Sequence, residues 1–392
     1  MATYFAAPTP IGAGNGSSWA NAGDLQTMIH NIIAAPSQGG DEIWALGNST
    51  VPYSLTSPLS IGGNTAPLSI YGGFDGTELT LCDRDANINS LGYPNFFPNP
   101  SILDGGGVNR VIDIQNANIL LIDGFVVRNG NTGATGGRGG GGVRVHNSSV
   151  IRFENMVFMN NTVMMGRGGG MYMTGTRNIM VKNSIFFNND ATSTPDGGGG
   201  LGIESCYFVK FVNLLFNANT GNGAATFIVD SENVEIVNNT FAYNNAPTGS
   251  SEVYCLNANV DIYNSIFYPD RLDILLGTPL NTINVDYCLL SNDIRPFATL
   301  QNPNGFNPFP PIPPINPNFV RPVFPLSAGG NYHLSNTATL QSPCIDWGGT
   351  SIIFPLSTTD LEGNPRIIDK GINTFPPLPI TREVDLGVFE VQ

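Results

Sequence analysis

The chain is poor in charge. Only 12% of its 392 residues are Asp, Glu, Lys or Arg, and lysine occurs three times, as Lys182, Lys210 and Lys370. With 30 acidic residues against 16 basic ones the net charge is −14, which argues against nucleic acid or an anionic membrane surface as partner. The same charge permits calcium without defining a site for it. No apolar run reaches the ~18 residues that a membrane span needs. No signal peptide is visible either, because Met1-Ala2-Thr3 leads straight into a strand. A chain that starts after a removed signal is the expectation. The three histidines offer no metal spacing, and the five cysteines (Cys82, Cys206, Cys255, Cys288, Cys344) fit no zinc motif. Cys206 and Cys255 fall in or beside strands and read as small buried hydrophobes; one disulfide near the C-terminus is the alternative. Helical periodicity is missing through the middle of the chain. That excludes the helical repeat families, and the repeat is too short for a propeller blade.

What the chain has instead is turn residues and columns. Gly (47) and Pro (29) are abundant, yet 41% of residues are hydrophobic, so the chain is not disordered. Residues 117–270 can be written as six lines aligned on Asp123, Asn155, Asn183, Asn213, Asn238 and Asn264. Four residues earlier stand Ile119, Ile151, Ile179, Val209, Val234 and Val260, and two earlier Leu121, Phe153, Val181, Phe211, Ile236 and Ile262. Three residues after the Asn column come Val126, Phe158, Phe186, Phe216, Phe241 and Phe267. Six after come Asn129, Asn161, Asn189, Asn219, Asn244 and Asp270.

Apolar residues on alternate positions make a strand with one buried face. Asn tolerates left-handed backbone, so each Asn column reads as a corner. No single line can bury its own apolar column, so neighbouring lines must stack. The expected fold is all-β: a right-handed, single-stranded parallel β-helix with Ile, Val and Phe ladders inside.

Residues 1–40 read as a strand followed by a capping helix. Asp24 is its N-cap, and Leu25, Met28, Ile29, Ile32 and Ile33 share one face. A cap is needed because an open sheet end templates aggregation. Residues 41–290 read as the β-helix, with early strands at 42–46, 68–71, 101–103 and 108–114 and a last one at 281–289. Residues 129–142, 164–170, 191–200, 219–225 and 245–252 form a recurrent, mostly Gly-rich connection on one side of every rung. Glycines there let stacked backbones turn closely. Residues 291–392 read as a Pro-rich wrapping segment and an irregular C-terminal β region. Its prolines, dense across 308–317, cannot join a central strand.

As a set these residues are familiar. Gly14-Asn-Gly-Ser-Ser-Trp-Ala-Asn-Ala22, Ile70-Tyr-Gly-Gly-Phe74 and Ile102-Leu-Asp-Gly105 resemble the opening of many secreted bacterial right-handed β-helix proteins. The tail, through Ser342-Pro-Cys-Ile-Asp-Trp-Gly348 and the ending Phe389-Glu390, resembles the choice-of-anchor Q region. The four Phe-x-x-Asn units at 158–161, 186–189, 216–219 and 241–244 are similar to polymorphic outer membrane protein repeats. The resemblance implies export and a cell-surface or extracellular location. It is poor for activity, since such families hold adhesins, fibres and lyases together.

Two outward columns carry the candidate sites. Three residues before the Asn column stand Arg152, Lys210, Glu235 and Asp261, the last three on adjacent rungs ~5 Å apart. A lyase acting on an acidic polysaccharide needs a cation to neutralise the uronate and a base of tuned pKa. Lys210, Glu235, Asp261 and Arg152 supply fragments of that; a line of surface salt bridges is the plainer reading. One residue before the Asn column, Ile122, Val212, Val237 and Tyr263 are apolar where solvent is expected. They want a cover: the chain's own segment 294–328, or a second protein. No carboxylate pair and no outward Trp or Tyr row is evident. The expectation is an exported structural or adhesive surface protein, without catalytic residues or a cofactor, whose partner is itself, a surface polysaccharide or a surface protein. A polysaccharide lyase or glycoside hydrolase is the alternative.

Overall fold

The structure, a computed structural model, describes residues 2–36, 40–48, 50–64, 66–84, 97–133, 139–191, 197–246 and 251–268. Beyond these it describes the short stretches 272–277, 282–286, 288, 294–295, 299–300, 319–321, 331–334, 336–337, 340–341, 348–349, 360–361 and 382–384. The Pro-rich run lies outside the described residues.

Two parallel sheets coil around one core, one of 17 strands and one of nine. A typical rung enters the nine-stranded sheet at Met171–Thr174, turns through two residues, and continues as Arg177–Phe187 in the larger sheet. That strand bends at Asn183, which sits at φ +47. A glycine-bearing connection then returns the chain to the next rung at Leu201–Glu204. Each rung thus has three flat sides. The inward residues stack as expected. Phe158, Phe186, Phe216, Phe241 and Phe267 form one column with ring centroids 4.5–5.1 Å apart. Every one of these rings is fully buried.

The cap is as the sequence suggests. Asp24 accepts a hydrogen bond from Thr27 N (2.8 Å) and starts the helix Leu25–Ala34. Its buried face holds Leu25, Met28, Ile29 and Ile32, and Ile33 packs at the margin of the core. Beside it, Phe5, Trp19, Trp44 and Phe74 cluster, with the Trp44 and Phe74 rings stacked at 4.9 Å. Among the early strands, Asp41–Leu46, Leu68–Phe74 and Ser101–Asp104 stand where expected. The strand expected at 108–114 starts later, as Ile112–Gln115. The strand expected at 281–289 is Thr282–Asp286. Cys206 and Cys255 are fully buried thiols outside any disulfide, and burial lifts them to about 11 and well above the ordinary range respectively.

Two features of the column alignment need correction. The first line is offset by one residue. Ile151 pairs with Leu120, Phe153 with Ile122, and Phe158 with Val127. The reason is Gly124, which at φ +81 takes the corner that Asn155 takes one rung later. A shift of one residue exchanges the two faces of a strand. Leu120 and Ile122 therefore point into the core, and Ile119 is exposed. The second corner also falls one residue early, at Asn160, Asn188, Ala218 and Tyr243, all at positive φ. The next residues, Asn161, Asn189, Asn219 and Asn244, are then not the bend but a buried amide ladder. Asn161 Nδ2 reaches Asn189 Oδ1 at 3.0 Å, and the bond repeats at 2.9 Å to Asn219 and again to Asn244.

The glycine connections act as expected. A Cβ on Gly170 would lie 2.6 Å from Gly200 O, so only glycine lets the stacked backbones approach this closely.

Candidate functional site

The larger sheet carries both columns singled out from the sequence. Arg152, Met180, Lys210, Glu235 and Asp261 stand in register on five consecutive rungs. Lys210, Glu235 and Asp261 are therefore neighbours, as the repeat requires. Their side chains are already engaged. Lys210 Nζ lies 3.0 Å from Glu235 Oε2, Asp261 accepts from Asn284 Nδ2, and Arg152 pairs with Glu154 at 2.9 Å. Lys210 and Glu235 are each about one-third exposed, so water screens the pair. Lys210→Ala is expected to cost less than about 1 kcal/mol of stability, measured by denaturant unfolding.

The second column is not the open apolar face that its residue types suggest. Ile122 lies in the core, through the one-residue offset at Gly124. Val212 and Val237 have no exposure, and Tyr263 is half-buried. None of the three valine and isoleucine side chains is available to a second protein. Segment 294–328, the alternative cover, lies almost wholly outside the described residues.

The same offset creates a pairing that the sequence columns had separated. Asp123 stands beside Glu154 on the next rung, with Lys182 one rung further. Asp123 is nearly buried and makes an ion pair with Arg84 at 2.6 Å. Burial pushes the Asp123 carboxyl up, and the Arg84 charge opposes that without cancelling it. Arg84 also donates to Gly72 O and lies 4.5 Å over the Phe97 ring. The pair thus ties residue 84 to the larger sheet.

The nine-stranded sheet holds the denser polar network, and its outward row runs Ser60, Asp113, Arg144, Tyr172, Gly202, Phe227, Tyr254. Arg144 grips Asp113 with two parallel hydrogen bonds of 2.7 Å. Burial alone would raise the Asp113 carboxyl, but the Arg144 bonds and charge outweigh it and leave it below the usual range. Behind the pair, Arg110 donates to the Gly139 and Gly140 carbonyls. Burial, then the Arg144 charge, brings its guanidinium down to about 10.

Two rungs on, Tyr172 and Arg167 both donate to Glu204 Oε2. Burial first and Glu204 second push the Tyr172 hydroxyl up to about 12. Gly202 leaves a gap in the row, and Arg167 from the preceding connection fills it, with its guanidinium 5.0 Å over Phe227. Phe227 in turn stacks on Tyr254 at 4.7 Å. A cleft of about 440 Å³ opens where this sheet meets the cap helix, lined by His30, Ile33, Ser60, Gly62, Asp113 and Gln115. Among the described residues no group of three His, Cys, Asp or Glu is placed to hold a metal ion.

Reading the repeat from its Asn corners missed this row. A second alignment finds it. Gly142-Val-Arg-Val, Gly170-Met-Tyr-Met and Gly200-Leu-Gly-Ile share an apolar–outward–apolar pattern, and its middle position is the row of Arg144, Tyr172 and Gly202.

The fold and its stacked rows define the class: a right-handed parallel β-helix. A family model described as right handed beta helix region matches residues 106–267. No curated protein matches. Among solved structures, pectate lyase Pel9A is similar over 100% of this chain and 97% of its own, at 14% identity and a TM-score of 0.43. An alginate lyase from a Paenibacillus species matches 73% of this chain and 94% of its own, at 9% identity and a TM-score of 0.37. The Streptococcus pneumoniae surface protein and adhesin PfbA matches 69% and 82%, at 13% identity and a TM-score of 0.28.

Proposed function

We propose that the protein is an exported, non-catalytic surface protein, adhesive or structural, whose flat faces serve contact rather than chemistry. One observation carries this reading: the cations of the two candidate rows, Lys210 and Arg152 on one face and Arg144 and Arg167 on the other, pair with carboxylates of the same chain. Lys210 is held by Glu235, Arg144 by Asp113 and Arg167 by Glu204. A lyase needs a cation free to meet the substrate carboxylate and a base beside it. Lys210, Glu235, Asp261 and Arg152, the residues of the enzymatic alternative, are instead occupied with one another and with Glu154 and Asn284. The resemblance of the termini to secreted β-helix proteins and to the choice-of-anchor Q region supports export. The partner in this reading is a surface glycan or protein, or a second copy of the chain.

The test is incubation of the purified chain with polygalacturonate, alginate and other acidic polysaccharides, with and without calcium. The expected result is no new reducing ends and no ultraviolet absorbance from unsaturated uronates. Product release that is lost in Lys210→Ala or Arg144→Ala would establish the enzyme and end the non-catalytic reading.

A further inference from the structure

The edge between the two sheets holds an arrangement that the fold does not need. Where five consecutive rungs enter the larger sheet, one residue adopts left-handed backbone: Ile119, Val150, Asn178, Phe208 and Asn233, at φ of 53–58°. Asn suits that conformation, and two rungs use it. A bulky residue there pays roughly 1–2 kcal/mol. Phe208 recovers nothing in the core for that cost, because it is 58% exposed, and its neighbour Tyr207 is 43% exposed. Two adjacent aromatic side chains thus stand largely in solvent, Phe208 on strained backbone.

Their surroundings are polar on both sides. Tyr207 is in register with Arg177 on the rung before and Glu232 on the rung after. Beside these stand Asn178 and Asn233, and all four are exposed. The two flanks are two rung spacings apart, ~10 Å, enough for one sugar ring with its hydroxyls between them. Arg177 and Glu232 cancel in charge, so the site offers amide, guanidinium and carboxylate hydrogen bonds without a net field. The patch is too narrow for a stable protein interface, which buries ~1,200–2,000 Å² in total.

We infer that Tyr207 and Phe208 form a stacking platform for a neutral glycan, with Arg177, Asn178, Glu232 and Asn233 bonding its hydroxyls. The apolar face of a pyranose covers the exposed rings, and the strain at Phe208 is retained because the ring serves an outside partner. This rests on the adhesive reading above and names its ligand class and its location.

The test is affinity electrophoresis of the full chain in gels containing xyloglucan, galactomannan, laminarin or hydroxyethylcellulose, with polygalacturonate and alginate gels beside them. At least one neutral gel is expected to retard the wild type. Phe208→Asn installs the residue that the chain uses at the same corner on two other rungs. It is expected to weaken retardation at least tenfold while the melting temperature holds or rises. Phe208→Leu, which keeps an apolar side chain but removes the ring, is expected to weaken it as well. The inference is overturned if no neutral polysaccharide retards the wild type, or if either variant binds as the wild type does. It is equally overturned if Phe208→Asn changes the mass of the particle in light scattering, which would make the patch a contact between copies. Retardation by the acidic gels alone leaves the adhesive reading standing and removes this site. Cleavage of those polysaccharides removes the adhesive reading itself.

Discussion

Replacing Arg84 with methionine is expected to lower the stability of the N-terminal half of the coil by about 3–5 kcal/mol, the usual cost of stranding one member of a buried ion pair. Asp123 sits on an outward-facing position of the larger sheet, yet its side chain is only 8% exposed, and that of Arg84 is 12% exposed. Methionine fills much of the arginine volume and packs against Phe97, so the loss isolates the charge from the packing. What remains is a buried carboxylate with Asn155 Nδ2 at 2.9 Å as its described donor.

The sign of the pH effect follows from the raised carboxyl. In the folded chain Asp123 holds its proton to a higher pH than in the unfolded chain. It therefore destabilises the native state above its folded pKa, and that penalty fades as the pH falls toward the ordinary carboxylate value. Without Arg84 the folded pKa rises further, so Arg84→Met should recover part of its lost stability on acidification. Adding Asp123→Asn to Arg84→Met should recover most of the deficit at neutral pH. Denaturant unfolding of the four proteins of this cycle measures it. A single-variant cost below about 1 kcal/mol would show the pair to be solvated.

That pair also marks where the sequence stopped being readable. The stacked β-helix, the cap helix with its Asp24 N-cap and the Phe column followed from spacing alone. Spacing is what a solenoid conserves, because each rung must match its neighbour. The offset of the first line was hidden because Asp123 fits an Asn column as well as Gly124 fits a corner. Only the backbone angle separates them, and with it whether Ile122 faces water or core. The line of Lys210, Glu235 and Asp261 was legible both as neighbours and as a surface salt bridge, and Lys210 does pair with Glu235; that Asp261 instead accepts from Asn284 was not. The row of Arg144, Tyr172 and Phe227 was less legible because its middle residues share no chemistry. Only their apolar flanks repeat, and those fall between the glycine connections and the Asn-aligned lines. The exposed pair Tyr207 and Phe208 was invisible for the opposite reason. Inside an eleven-residue strand, Tyr207–Asn217, aromatic residues read as core.

The sharpest test of the stack itself compares two identical letters. Asn188 and Asn189 are consecutive, both lie near the second corner, and both donate to an asparagine on a neighbouring rung. Asn189→Ala is expected to cost about 3–5 kcal/mol and Asn188→Ala less than about 1 kcal/mol. Asn189 has no exposure. Its Nδ2 donates to Phe158 O and to Asn219 Oδ1, both at 2.9 Å. Its Oδ1 accepts from Asn161 N at 3.1 Å and Asn161 Nδ2 at 3.0 Å. Alanine orphans several of those groups in a place water does not reach, and each buried orphan costs about 1–3 kcal/mol. The sum is discounted because neighbouring amides can share the remaining bonds. Asn188 by contrast is exposed, with one side-chain bond to Asn160 Oδ1 at 2.7 Å. Its backbone is left-handed, at φ +50, but the next rung places Ala218 at the same corner with φ +58, so alanine is accommodated there by the fold's own example. Denaturation midpoints of the two variants decide the matter. Equal losses would mean that the ladder of Asn161, Asn189, Asn219 and Asn244 adds no more than the corners do, and that the Phe column beside it holds the coil alone.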